Sequence, residues 1–171
     1  MNARHGNALD METWEEQVEL LWTRFDDYSE TSFLENMENL TSQLPIDHPR
    51  GLFETASSYD SLGHSDIAVP LYQRALDFKL GGSFRRQAII QMASSLRNLG
   101  RTNESLKLLE AEKEGDSDDL KDGVDAFLAL ALTDSGRERE ALSITLKALA
   151  RHMTRYSKSI KNYAELLIAD K

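Results

Sequence analysis

The feature that most restricts this chain is a set of three glycines, Gly63, Gly100 and Gly136, spaced 37 and then 36 residues apart, each closing a run of helical periodicity. The same offsets recur around each one. In the first copy Ala56, Tyr59, Gly63, Ala68, Tyr72 and Ala75 are separated by gaps of 3, 4, 5, 4 and 3. Residues three and four apart share one side of a helix. Ala56 and Tyr59 therefore mark one side of a first helix, and Ala68, Tyr72 and Ala75 one side of a second. Glycine enters the left-handed conformation that closes a helix, so Leu62-Gly63 reads as the corner between them.

The offsets repeat as Ala93, Leu96, Gly100, Ser105, Leu109 and Glu112, and again as Ala129, Leu132, Gly136, Ala141, Thr145 and Ala148. Glu112 departs from the pattern, standing where the other two copies have alanine. Self-similarity at this period predicts stacked helix pairs, because no pair can bury its apolar face without its neighbours. The three pairs fall at residues 49–82, 83–117 and 118–152.

These residues resemble the tetratricopeptide repeat (TPR) family, most closely at LYQRAL, residues 71–76, and the Ala68 that precedes it. The resemblance covers residues 49–152 and implies an all-α fold, a right-handed solenoid of antiparallel helix pairs. It departs from the family in three ways. No copy has the usual tryptophan, none has the usual closing proline, and the period exceeds the family's roughly 34 residues by two or three. The extra residues fall in the loops at 80–83 and 114–120. The phrases YDSLG, SSLRNLGR and DSGREREAL are also similar to those of short, functionally unassigned bacterial TPR proteins.

Outside the repeats, residues 1–10 lack periodicity and read as a disordered lead-in, leaving 11–171 as a single domain of about nine helices. Residues 12–27 form an amphipathic pattern through Trp14, Val18, Leu21, Trp22 and Phe25. A second helix begins at Ser32, carries Phe33, Met37, Leu40 and Leu44 on one side, and is stopped by Pro45. This hairpin, 11–45, reads as an irregular first repeat or cap, with Trp14 and Trp22 as core residues. Thr102 or Asn103 is the expected cap of the sixth helix. The last helix, 154–169, shows Tyr156, Ile160, Tyr163, Ala164 and Leu167 on one side with Lys158 and Lys161 outside, and reads as a terminal cap.

Several chemistries are disfavoured. Without cysteine there are no disulfides, thiolate nucleophiles or ordinary structural zinc sites. No GxSxG or phosphate-binding glycine loop occurs, and His5, His48, His64 and His152 are scattered without ligand spacing. Asp60, between Ser57 and Ser61, has no base or metal partner that would make it a catalytic acid. The loop at 115–119 fails as a calcium site, since Leu120 stands where an oxygen ligand belongs. The chain is thus read as a non-enzyme with no metal and no cofactor. It has no run of about 18 apolar residues that would span a membrane and no signal-peptide pattern, so a cytoplasmic location is expected.

The net charge of −9 argues against nucleic acid, but its distribution is uneven. Residues 10–44 hold ten acids against Arg24, while 141–164 hold Lys147, Arg151, Arg155, Lys158 and Lys161 and no acid. A helix-pair solenoid leaves the first helix of each pair free on its inner wall to meet a protein or peptide partner. The expected wall is Arg50, Phe53, Ser57 and Asp60, then Gln87, Ile90, Ser94, Arg97 and Asn98, then Ala126, Leu130, Thr133 and Asp134. Arg97 with Asn98 suits a peptide carboxylate, unless Arg97 pairs with Asp60, and Phe53, Ile90 and Leu130 suit apolar side chains. The alternative is a self-assembling structural protein, a homo-oligomer in which the acidic hairpin of one copy meets the basic C-terminal helices of another.

Overall fold

The three corner glycines adopt the conformation their positions imply. Gly63, Gly100 and Gly136 have φ of 88°, 72° and 75°. Each sits in the same bonding pattern. The His64, Arg101 and Arg137 amides donate to the Tyr59, Leu96 and Leu132 carbonyls at 2.9, 2.8 and 2.8 Å. The glycine amides donate to Asp60, Arg97 and Thr133 at 2.9, 2.9 and 3.0 Å. These are the two bonds of the Schellman motif, which satisfy carbonyls that a helix end would otherwise leave bare.

The computed structural model describes residues 10–115 and 119–169. The lead-in up to residue 9 and most of the loop weighed as a calcium site, 116–118, lie outside the described residues. Among the described residues the regular structure is helical throughout. The chain divides into two compact units, one ending at Leu80 and one beginning at Gly81.

The first unit holds α1 (Met11–Thr23), a short 3-10 turn (Phe25–Asp27), α2 (Glu30–Thr41), α3 (Pro49–Ser61) and α4 (Ser65–Asp77). Asp10 caps α1 by accepting from the Glu12 amide at 3.1 Å. α2 starts earlier than Ser32, because the Ser29 hydroxyl accepts from the Ser32 amide and takes the cap position. It also ends at Thr41, before Pro45 is reached, and Leu44 folds back into the core of Trp14, Val18, Leu21, Phe33 and Met37. The indole N–H of Trp14 donates to the Leu40 carbonyl at 2.9 Å, and that of Trp22 to Glu54 Oε2 at 2.7 Å. Both tryptophans therefore bind their own unit. Glu54 is buried and also accepts from Arg50 at 2.6 Å. Burial pushes its carboxyl above the usual range, with Arg50 and Trp22 acting against that shift. Helix α4 runs through Pro70, and Ala56, Ala68 and Ala75 are fully buried as their spacing requires.

The second unit holds α5 (Gly82–Asn98), α6 (Thr102–Lys113), α7 (Lys121–Asp134), α8 (Glu138–His152) and α9 (Ser157–Ala169). Helix α7 packs on α5 and α6, α8 on α7, and α9 on α8. The core joins Ile90, Ala93, Leu106 and Leu109 to Val124, Leu128, Leu132 and Ala141. Neither Thr102 nor Asn103 caps α6; Arg101 occupies that position and its guanidinium binds Glu104. Helix α9 seats Ala164, fully buried, near Ser143, whose hydroxyl donates to the Ala164 carbonyl at 2.7 Å. That close approach turns Ser157, Ile160, Ala164 and Leu167 inward. Tyr156, which precedes the helix, and Tyr163 are exposed, contrary to the side expected for them.

Charged pairs hold the ends of each helix pair that lie away from the glycine. Asp47, just before α3, meets Arg74 near the end of α4 at 2.5 Å. Asp122 and Asp125 at the start of α7 meet Arg151 near the end of α8, with His152 bound to Asp122 at 2.6 Å. The bonds from Arg151 and His152 hold the Asp122 carboxyl below its usual range. In the middle pair the signs are reversed. Arg85 and Arg86 near the start of α5 meet Glu112 near the end of α6 at 3.0 and 2.8 Å. Glu112 and Arg86 are both buried, which accounts for an acid standing where the other copies have alanine. Exposed pairs such as Asp47–Arg74 contribute about 0–1 kcal/mol. Breaking a buried pair costs far more than replacing it. Glu112→Ala is expected to lower stability by about 3–5 kcal/mol in urea unfolding, and Glu112→Ala combined with Arg86→Met to recover most of that loss.

Candidate functional site

Helix α7 turns Val124, Leu128, Ala131 and Leu132 into the core, which leaves Ala126, Leu130, Thr133 and Asp134 on its open side. On α8, Ala141 is buried while Leu142 and Leu149 are exposed. Between the two helices lies an open groove of about 470 Å³. It is lined by Ala126, Ala129, Leu130 and Thr133 of α7 and by Glu138, Ala141, Leu142 and Thr145 of α8. Leu130 and Leu142 are 47% and 48% exposed, so two branched apolar side chains of this lining meet water. The Thr133 and Thr145 hydroxyls donate to the Ala129 and Ala141 carbonyls of their own helices, both at 2.9 Å. Their protons are thus already committed.

The remaining expected wall residues separate into two groups. Phe53, Ser57 and Ile90 are buried, the Phe53 ring lying tilted against Tyr72 and Ile90 belonging to the core of the second unit. Arg50 is held by Glu54 and lies over the Trp14 and Phe53 rings at 5.7 and 5.6 Å. Asp60 lies beside Tyr72, whose hydroxyl is 3.4 Å from Asp60 Oδ2 and 3.3 Å from Ser57 Oγ. Burial raises the Tyr72 phenol above its ordinary pKa, leaving it protonated as a structural donor. These residues of α3 belong to the first unit. In the second unit, Gln87 and Ser94 are half-buried and Asn98 is exposed.

Arg97 pairs with Asp134, its Nε donating to Asp134 Oδ2 at 2.6 Å. A carboxylate bound by Arg97 must displace Asp134, so this pair sets the polarity beside the α7–α8 groove. The wall contributed by α8 was not part of the sequence expectation, which assigned binding to first helices alone. Its signal is Leu142, one residue past the buried Ala141 and so about 100° around the helix. A second hollow of about 530 Å³ lies in the first unit between α2, α3 and α4, lined in part by Leu34, Thr41, Tyr59 and Leu71. The basic stripe near the C-terminus is partly spent, since Arg151 binds Asp122 and Asp125. No described helix is long and apolar enough to cross a membrane, and no group of three metal-ligating side chains occurs among the described residues.

A model of the tetratricopeptide repeat family matches residues 49–167. The chain belongs to this family. The match extends from the start of α3 into α9, so α9 falls within the repeat region. Two solved structures share the fold. One holds nearly identical TPR-like repeats of a Podosopora anserina protein provisionally described as a kinesin light chain. It has 17% identity and a TM-score of 0.66 over 94% of each chain. The other is a variant of the same repeats, with 16% identity and a TM-score of 0.65 over 95% of this chain and 98% of that one. No curated protein matches. TPR proteins generally mediate protein–protein interactions rather than catalysis.

The distinction between interior and lining residues is measurable. Phe53→Ala is expected to cost about 3–5 kcal/mol in urea unfolding, whereas Leu130→Ala is expected to stay within about 0.5 kcal/mol of wild type.

Proposed function

We propose that this TPR chain is a non-catalytic interaction module and that the α7–α8 groove receives a segment of a protein partner. The observation that carries the reading is the pair of half-exposed leucines, Leu130 and Leu142, that line one groove together with three alanines. Exposed apolar surface bounded by polar groups is the usual mark of a contact site. The alanines leave room for a compact apolar side chain, and Leu130 with Leu142 would flank it. Gln87 and Ser94, half-buried on α5, would add hydrogen-bonding groups beside it, since α5 packs on α7. Arg97 and Asp134 give it a charged margin. A partner carboxylate there would exchange with Asp134, and a partner cation would bind it. A role of this kind suits a cytoplasmic chain without cysteines.

Selection of random displayed peptides on the full chain, followed by calorimetry, tests the reading. Peptides bound in the groove are expected to lose at least tenfold affinity, about 1.4 kcal/mol, with Leu130→Lys or Leu142→Lys. Ile46→Lys, at an 87% exposed position in the first unit, serves as the control and is expected to leave binding unchanged. Selected peptides that bind both leucine variants as well as wild type would contradict the assignment.

A further inference from the structure

The side chains that line the α7–α8 groove can accept hydrogen bonds but have none left to give. Its polar side chains are Thr133, Thr145 and Glu138. Both threonine protons go to carbonyls of their own helices, so only the hydroxyl oxygens remain to meet a partner, and those accept. Glu138 is exposed and has no ion pair among the described residues. Its carboxylate likewise only accepts. Beside the groove Asp134 is bound by Arg97, yet the acid is the more open of the two, its side chain 39% exposed against 18% for the arginine. The other arginines at this corner are spent elsewhere. Arg137 binds Glu110 and Glu140 at 3.1 and 2.8 Å, and Arg139 Nε donates to the Leu167 carbonyl of α9 at 2.8 Å.

We propose that the groove, on the reading that it receives a protein segment, takes one in which lysine or arginine stands next to an aliphatic residue. The aliphatic side chain meets Leu130 and Leu142, and the cation meets Glu138. Ammonium and guanidinium groups only donate, so they match a lining whose side chains only accept. Their methylene stems lie along apolar surface while the charged end reaches beyond it. That suits a groove in which Glu138 and Leu142, four residues apart, share one side of α8. A segment carrying a carboxylate instead finds no side-chain donor in the lining, faces Glu138, and must take Arg97 from Asp134. The choice of partner thus rests on repulsion of acids as much as on attraction of bases. The chain's net charge of −9 acts in the same direction at longer range.

Calorimetry with single peptides, taken from a random displayed library selected on the full chain, tests this separately from the reading it rests on. Peptides that lose affinity with the neutral changes Leu130→Ser and Leu142→Ser are the groove binders. Lysine or arginine beside an aliphatic residue is expected to be their common feature. Glu138→Gln is expected to weaken them about threefold and Glu138→Lys at least about tenfold, since a like charge then meets the peptide's cation. Changing that basic residue of the peptide to glutamate is expected to weaken binding to wild type and to restore binding to the Glu138→Lys variant. Glu35→Lys makes the same change in net charge at an exposed acid of the first unit. It is expected to alter affinity by less than about twofold, because exposed charges without a direct contact are largely screened. Glu138 is on the surface, so its variants should fold, and circular dichroism checks it. Groove binders indifferent to Glu138→Lys, or groove binders that depend on an acidic residue of their own and on Arg97, would overturn the proposal and leave the groove reading standing. A selection without a single peptide sensitive to the two leucines would overturn both.

Discussion

The left-handed corner is the constraint on which the rest of this chain depends. A helix pair needs its second helix to return along the first within a few residues, and a single left-handed residue makes that reversal while the terminal carbonyls stay bonded. Gly63, Gly100 and Gly136 make it with the same two hydrogen bonds in each copy. A methyl group added at any of the three would meet no atom within 4 Å, so the requirement lies in the backbone alone. The same motif ends α4 without glycine. There Lys79 takes φ of 65°, and the Leu80 amide donates to the Ala75 carbonyl at 3.0 Å. That corner, at the boundary of the two units, carries a strain the others avoid.

The opposite ends of the pairs are held by charge rather than by backbone. Asp47–Arg74, Glu112 with Arg85 and Arg86, and Asp122 and Asp125 with Arg151 join the same two places in each pair. The sign of the partners differs between copies, and so does the depth. Only the middle pair has both partners buried, and there the acid takes the position that alanine holds elsewhere. Position in the pair thus selects for a bond across the ends, while the residues that make it are interchangeable.

This difference explains what was legible in the sequence. Corners were legible because glycine, which meets them without strain, recurs at a fixed interval in all three copies. The buried alanines of the first copy were legible for the same reason. Ala148 is only half-buried, so the smallness of that position in the third copy reflects the repeat more than local crowding. Helix starts were read less well, because caps compete locally: Ser29 pre-empts Ser32, and Arg101 stands before Thr102. The charged ends were invisible, since acid and base change places between copies. Of the expected wall, Ala126, Leu130 and Thr133 on α7 are exposed, whereas Phe53 and Ile90 on α3 and α5 are buried. Periodicity gives the angle of a side chain on its helix, but what covers that angle depends on neighbours distant in sequence.

The most direct test of the corner's role is urea unfolding of two opposite substitutions. With no steric contact to relieve, Gly100→Ala should lower stability by about 1–2 kcal/mol from backbone conformation alone, and Lys79→Gly should raise it by up to about 1 kcal/mol. Equal and near-zero changes, or a loss of stability in Lys79→Gly, would contradict the claim that left-handed corners set the repeat.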